Sequence, residues 1–275
     1  LEKKDILKLI DKTLSDGEWV GGSEIEKFET NIKKICKTKY AVALNSGTDA
    51  LTLGMYLLDI KKGDEVITTP NSFIASVATI VHLGAKPVFV DVLPDQNIDP
   101  QKIKDKITKK TKAIMPVHLT GRVSDMDEII GIAKKYNLKI IEDAAQSIGA
   151  RYKDKPAGSF GDVGCFSAHP LKNLNAIGDS GYLVTNNEKI SSRAKDLRNH
   201  GMSNRNKVNH FGHVSRMDNI QASILNYRIK NLKRIIMARR KNADFYFKNL
   251  NDKFIQLPYE KKYQFNTFHT FVIQV

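Results

Sequence analysis

The stretch Tyr40-Ala41-Val42-Ala43-Leu44-Asn45-Ser46-Gly47-Thr48-Asp49-Ala50-Leu51-Thr52-Leu53-Gly54-Met55 decides the fold. Its first five residues read as a short buried strand, residues 45–49 as a tight polar turn, and residues 50–55 as the body of a helix. A strand that turns directly into a helix leaves the first helical amides without intrahelical acceptors, so the turn offers donors to an anion. The same unit recurs along the chain. Residues 64–68 form a strand before a helix over 73–83, and residues 87–91 are strand-like. Residues 113–117 precede a helix over 125–136, and 138–143, 163–167 and 182–185 are further short strands. Strands alternating with helices of this length predict an α/β fold with a largely parallel central sheet flanked by helices. Sites in such folds gather at the carboxyl ends of the strands.

Upstream of this stretch, Ser23 and Glu26 have capping-box spacing, which predicts a helix to about Cys36 with Ile25, Phe28, Ile32 and Ile35 on its packed face. Downstream, residues 216–221 begin a helical pattern predicted to run on through the basic stretch 230–240 as a connector. Residues 267–275 have strand composition but no following element to bury their face, so the chain is expected to be incomplete. The expected division is a large cofactor-binding domain over 1–225, including a helical segment over 1–36. Residues 226–275 would then be a connector helix and the truncated start of a small C-terminal domain.

Composition narrows the class. A chain of 275 residues with 41% hydrophobic and 27% charged residues can bury one large core or two unequal ones. It has no apolar run of membrane-spanning length and no signal-peptide core after Leu1, so neither a membrane partner nor export is expected, and the expected compartment is the cytoplasm. Cys36 and Cys165 stand in unrelated contexts, which argues against a zinc site, an iron-sulfur cluster or a disulfide framework, and no metal is expected. The net charge of +14 is spread over lysine-rich helix faces, with no nucleic-acid reader motif beside it. Nucleic acid is therefore not an expected partner. A nucleotide hydrolase is disfavoured by the lack of a Gly-x-x-x-x-Gly-Lys loop.

Chemistry enters with two segments. Ile140-Ile141-Glu142-Asp143 ends a strand in a carboxylate, and about thirty residues later Ser167-Ala168-His169-Pro170-Leu171-Lys172 carries an amine. A carbonyl-reactive lysine needs a neutral amine at its target, and a pyridine ring used as an electron sink needs an anionic partner at its nitrogen. Lys172 and Asp143 can fill those roles. Ser46, Gly47 and Thr48, with the hydroxyl of Ser167, supply donors for a phosphate. Taken singly, each has a plainer meaning: a helix cap, a loop carboxylate, a surface lysine. Their order along the chain is what points to pyridoxal 5'-phosphate.

Seven blocks carry a resemblance. They are residues 45–51, 63–67, 87–91, 116–119, 141–146, Phe166-Ser167-x-His169-Pro170-x-Lys172, and Ser215-Arg216-Met217-Asp218. In this order they resemble the DegT/DnrJ/EryC1/StrS aminotransferases, fold type I pyridoxal phosphate enzymes acting on nucleotide-linked keto sugars. The resemblance implies Lys172 as the Schiff-base and proton-transfer group, and Asp143 as the partner of the pyridinium nitrogen. It implies Gln146 beside the phenolic oxygen, Gly47, Thr48 and Ser167 as the phosphate cup, and Phe73 stacked on the ring, although Phe73 also fits a buried residue opening its helix. His118 and His169 lie in matching blocks but read as structural donors.

The resemblance also implies an amino acid donor such as glutamate and a homodimer with shared active sites. In many relatives an Asn before the Ser-Arg pair reaches the partner's cofactor phosphate. Val214 stands there in this chain, so that contact is expected to be absent or supplied by His213 or Ser215. The run from Lys172 to Gly181 inclines towards relatives that aminate the sugar C3. The positive charge is expected to favour approach of a diphosphate, an effect sensitive to salt. A dehydratase of the same fold is opposed by the lysine at 172, and a regulatory nucleic-acid-binding role has no supporting motif.

Overall fold

The computed structural model describes residues 2–250 and 253–275. Leu1 of the N-terminus, and Asn251 and Asp252 within the proposed C-terminal part, lie outside the described residues. The helices and strands in chain order are α1 Lys3–Asp16, α2 Ser23–Cys36, β1 Tyr40–Leu44, α3 Gly47–Leu57, β2 Glu65–Thr68, α4 Ile74–His82 and β3 Lys86–Phe89. There follow β4 Thr111–Ile114, α5 Met126–Tyr136, β5 Lys139–Asp143, β6 Arg151–Tyr152, β7 Lys155–Pro156, β8 Val163–Ser167 and β9 Gly181–Thr185. The chain continues with α6 Glu188–Leu197, β10 Met202–Asn204, β11 Lys207–Val208, α7 Asn219–Ile229, α8 Leu232–Asn249 and β12 Gln264–Phe265.

Seven strands form the central sheet in the order β1-β9-β8-β5-β4-β2-β3. Only β9 runs antiparallel to its neighbours β1 and β8; the other neighbouring pairs are parallel. Alternation along the strands explains why both faces are covered. Val42 and Leu44 point to the side packed by α3, α4 and α6, with Leu51, Met55, Ile80 and Ile190. Ala41 and Ala43 face α2 and α7, where Phe28 meets Tyr182 edge-on and Phe166 stacks on Tyr182 with ring centroids 4.9 Å apart. Ile140 and Ile67 pack against Ile129 and Met126 of α5. Strands covered on both faces read as near-continuous apolar runs, as β1 and β9 do, while the edge strand β3 keeps Lys86 and Phe89 exposed.

The α/β architecture and largely parallel sheet match the expectation, with local corrections. The turn expected over 45–49 is only Asn45 and Ser46, because α3 already begins at Gly47 with Ser46 as its N-cap. Ser23 does not cap α2: Gly22 occupies the cap position with φ 96°, no side-chain cap bond forms, and Ser23 lies inside the first turn. The pattern from 216 to 240 is not one helix but α7 and α8, broken at Lys230 and Asn231. The expected strand at 113–117 is β4 ending at Ile114, with Val117 pairing Asp143 only as an isolated bridge. Residues 267–275 form no strand. Thr267 and His269 donate their amides to Gly121 and Thr120, and only Gln274 makes a bridge, to Gln256. Strand composition needs a ladder partner, and the turn at 119–121 offers only those two carbonyls. Among the described residues no helix is long and apolar enough to cross a membrane.

Candidate active site

The carboxyl ends of β1, β5 and β8 and the start of β9 converge on a cavity of about 410 Å3. Ser46, Gly47, Thr48, Phe73, Asp143, Gln146, Ser167 and Lys172 all line it, so every site residue expected from the sequence is brought to one place. What each does there follows from its local structure.

At one end β1 runs into α3. Ser46 is the N-cap, its hydroxyl accepting the Asp49 amide at 3.0 Å. That bond occupies the Ser46 side chain with capping and leaves the Gly47 and Thr48 amides, which have no intrahelical acceptors, opening on the cavity. Two glycines permit this closeness. A Cβ on Gly47 would lie 2.7 Å from Cβ of Ser167, and a Cβ on Gly181 would collide with the Ser46 carbonyl and the Gly47 amide. The result is a small cradle of amides and hydroxyls at the positive end of an eleven-residue helix.

Asp143 ends β5 and is buried at 5% exposure. Its Oδ2 accepts a 2.6 Å bond from Ser76 Oγ of α4, and Oδ1 accepts the Ala145 amide at 3.2 Å. With these two donors the carboxylate still has lone pairs free towards the cavity. Lys172 sits in the loop between β8 and β9, its amide donating to the His169 carbonyl at 2.8 Å. The loop is held from α7, where Gln221 accepts the Ile177 amide and Arg228 donates to the carbonyls of Asn175 and Ala176. Burial lowers the Lys172 pKa, opposed by the nearby Asp143 carboxylate, so the neutral amine is easier to reach than in water.

Phe73 is 69% exposed at the N-cap of α4, which removes the alternative of a buried core residue. His118 is interior and fully bonded: Nδ1 accepts the Ser124 amide at 3.2 Å and Nε2 donates to Glu142 at 2.9 Å. Glu142 also accepts the amides of Gly158, Phe160 and Gly161, so the pair braces the loop before β8. His169 is exposed and its Nδ1 accepts the Leu171 amide at 3.2 Å. Ser215 is fully buried, bonded to Asn45 Oδ1 at 3.3 Å, and so cannot reach outward as a substitute donor. His213 and Val214 remain exposed. Cys36 and Cys165 are buried free thiols, Cys165 pushed well up by burial. No group of three or more His, Cys, Asp or Glu among the described residues is placed to hold a metal ion.

Three cavity-side contributors had no local signal. Ser76 lies inside an ordinary apolar helix; Thr120 donates its amide to Gln146 Oε1 at 2.8 Å from a turn. His269 lines the cavity from the C-terminal segment, its pKa lowered to about 4 by burial and by the positive charges of Lys172 and Arg239. An amine, a buried carboxylate, an amide and an anion cradle in one cavity have the donor set that pyridoxal phosphate requires, and the residues fit that group.

A sequence profile of the DegT/DnrJ/EryC1/StrS aminotransferase family matches residues 1–275. The chain is 42% identical to the dTDP-3-amino-3,6-dideoxy-alpha-D-galactopyranose transaminase of Aneurinibacillus thermoaerophilus, over 99% of this chain and 76% of that protein. The crystal structure of DesV from S. venezuelae in complex with a ketimine intermediate superposes with a TM-score of 0.95 at 35% identity, covering 99% of this chain and 74% of that one. The structure of ntda from Bacillus subtilis with bound cofactor PMP gives a TM-score of 0.92 at 37% identity, over 99% of this chain and 63% of that one. With fold, site and family profile in agreement, the chain belongs to the DegT/DnrJ/EryC1/StrS aminotransferase family, with the fold of the type I pyridoxal phosphate enzymes.

Proposed function

We propose that this chain is a pyridoxal phosphate-dependent aminotransferase that takes an amino group from an amino acid, glutamate in the first instance, and delivers it to a keto sugar carried on a nucleoside diphosphate, for amino-sugar biosynthesis. The observation that carries the reading is the single cavity shared by Lys172, Asp143 and the start of α3. When bound, the cofactor supplies an electron sink and an amino-group carrier.

The chain's own residues supply the rest. The Gly47 and Thr48 amides, with the hydroxyls of Thr48 and Ser167, bind the phosphate. Asp143, held by Ser76 and the Ala145 amide, presents an anion to the ring nitrogen. Phe73 covers one ring face at the mouth of the cavity, and Gln146 offers its amide nitrogen, since its carbonyl is bonded to Thr120. Lys172 Nζ, lowered in pKa by burial, takes and returns the proton in both half-reactions. In this reading residues 1–225 form the cofactor-binding domain and 226–275 the connector and C-terminal part. The enzyme works in the cytoplasm as a homodimer whose active sites are shared, with His213 on the surface turned to the partner. Amination at C3 of the sugar is favoured by the run from Lys172 to Gly181, and the named activity of the Aneurinibacillus relative supports it.

The test is spectroscopic. The purified protein incubated with pyridoxal phosphate should acquire visible absorbance, and glutamate should convert it to the near-ultraviolet band of the amine form. A protein that takes up no cofactor sinks the reading.

A further inference from the structure

The turn at 119–121 is strained. Thr120 has φ 61° and ψ 3°, a left-handed conformation that is a true outlier for a β-branched residue, and Gly121 follows at φ 94°. Such conformations persist only where the surroundings over-determine them. Here both backbone groups of Thr120 are engaged: its N–H donates to Gln146 Oε1 at 2.8 Å, and its carbonyl accepts the His269 amide at 2.8 Å. The Thr267 amide closes on the Gly121 carbonyl at 3.0 Å, and a Cβ on Gly121 would collide with Thr267 Oγ1. Phe268, between those two donors, is itself left-handed at φ 45°. α8 holds this segment from behind, Arg240 donating to the Asn266 carbonyl at 2.7 Å and Arg239 to that of His269 at 3.0 Å.

A backbone N–H can only donate, so the end of the Gln146 amide that faces Thr120 must be the carbonyl. The other end, a donor, is left for the cavity. We infer that residues 267–269 act as a positioning clamp: through the strained turn at Thr120 and Gly121 they set which end of the Gln146 amide faces the cofactor. This rests on the cavity being the pyridoxal phosphate site. The consequence is that the C-terminal segment, which reaches Gln146 through this turn, tunes the protonation of the bound cofactor, and that movement of α8 is felt there. Gln146 would touch the cofactor; Thr120, Gly121 and the clamp act through it.

A double-mutant cycle tests the clamp. The pH titration of the bound cofactor's visible absorbance is measured in the unsubstituted chain, Gly121→Ala, Gln146→Ala and the double variant. The expected result is a Gly121→Ala shift of about half a pH unit or more that falls to less than about a third of that size once Gln146 is absent. Equal shifts in both backgrounds, or no shift in a folded Gly121→Ala protein, overturn the clamp. If Gly121→Ala does not fold, hydrogen exchange decides on Gln146→Ala with cofactor present: exchange at Thr120 about tenfold faster than in the unsubstituted chain supports the relay, and unchanged exchange overturns it. An unsubstituted chain without visible absorbance in the presence of pyridoxal phosphate overturns the site itself, an outcome distinct from both.

Discussion

Ser76 Oγ donates a 2.6 Å hydrogen bond to Asp143 Oδ2, joining α4 to the end of β5 inside the protein. A bond to a charged group is worth about 1.5–3 kcal/mol, and this one also orients the carboxylate. Ser76→Ala should therefore leave a folded protein that binds pyridoxal phosphate about three- to tenfold more weakly, measured by equilibrium dialysis. Asp143→Asn, which removes the anion itself, should lower turnover by about 10²–10³-fold. Equal effects of the two substitutions would show that Asp143 serves only as a structural acceptor.

Lys172 is the amine to which the cofactor should become fixed. Borohydride reduction in the presence of pyridoxal phosphate should attach it to the peptide containing residue 172, and Lys172→Ala should abolish that attachment and lower turnover by at least ~10⁴-fold. Mass mapping reads the result. Trapping at any other lysine would show the assignment wrong.

Gly181 tests the cradle. Because an added Cβ would strike the backbone of Ser46 and Gly47, relief requires the start of α3 to move. Gly181→Ala should cost about 2–4 kcal/mol and lower the melting temperature by about 5–10 °C. Gly47→Ala, whose new Cβ would press on Ser167 in the phosphate cradle, should weaken cofactor binding more than it lowers stability.

His269 makes stability depend on pH. Its folded pKa is depressed from 6.5 to about 4, so the folded state holds fewer protons than the unfolded state between those values. Stability of the cofactor-free chain should then be full above pH 6.5 and fall as pH drops towards 4. The site is only half-buried, which limits the effect to about 1 kcal/mol after solvent screening. Urea midpoints at several pH values should show the slope, and His269→Asn should flatten it. An unchanged slope in that variant would assign the dependence to other groups.

Much of the fold was legible because its signals are local. The apolar run from Tyr40 to Leu44 folded as β1 where the pattern placed it, Asp143 and Gly47 stand at element ends, and Lys172 stands in the loop after β8. The polar turn after β1 is shorter than its composition suggests, because Ser46 caps a helix that already begins at Gly47. The misreadings have physical causes too. Ser23 has capping-box chemistry, but Gly22 takes the cap because the chain enters α2 with a left-handed φ that suits glycine. The helical period continues across Lys230 and Asn231, so periodicity could not show that α7, packed on α2, stops at Ile229 and that α8 starts separately at Leu232. Residues 267–275 have strand composition, yet hydrogen bonding to a turn replaced a ladder.

By itself the sequence determined the α/β class and the set of residues at and after the strand ends, whose order points to an amine and a carboxylate around a phosphate-bearing ring. Those features are written in short contiguous patterns. Only the tertiary structure decided that Ser76 orients Asp143, that Thr120 turns the Gln146 amide, that Ser215 faces inward and that His269 enters the cavity. Each of these joins residues far apart along the chain, and such pairings follow from how the layers pack around the sheet, which no local period encodes.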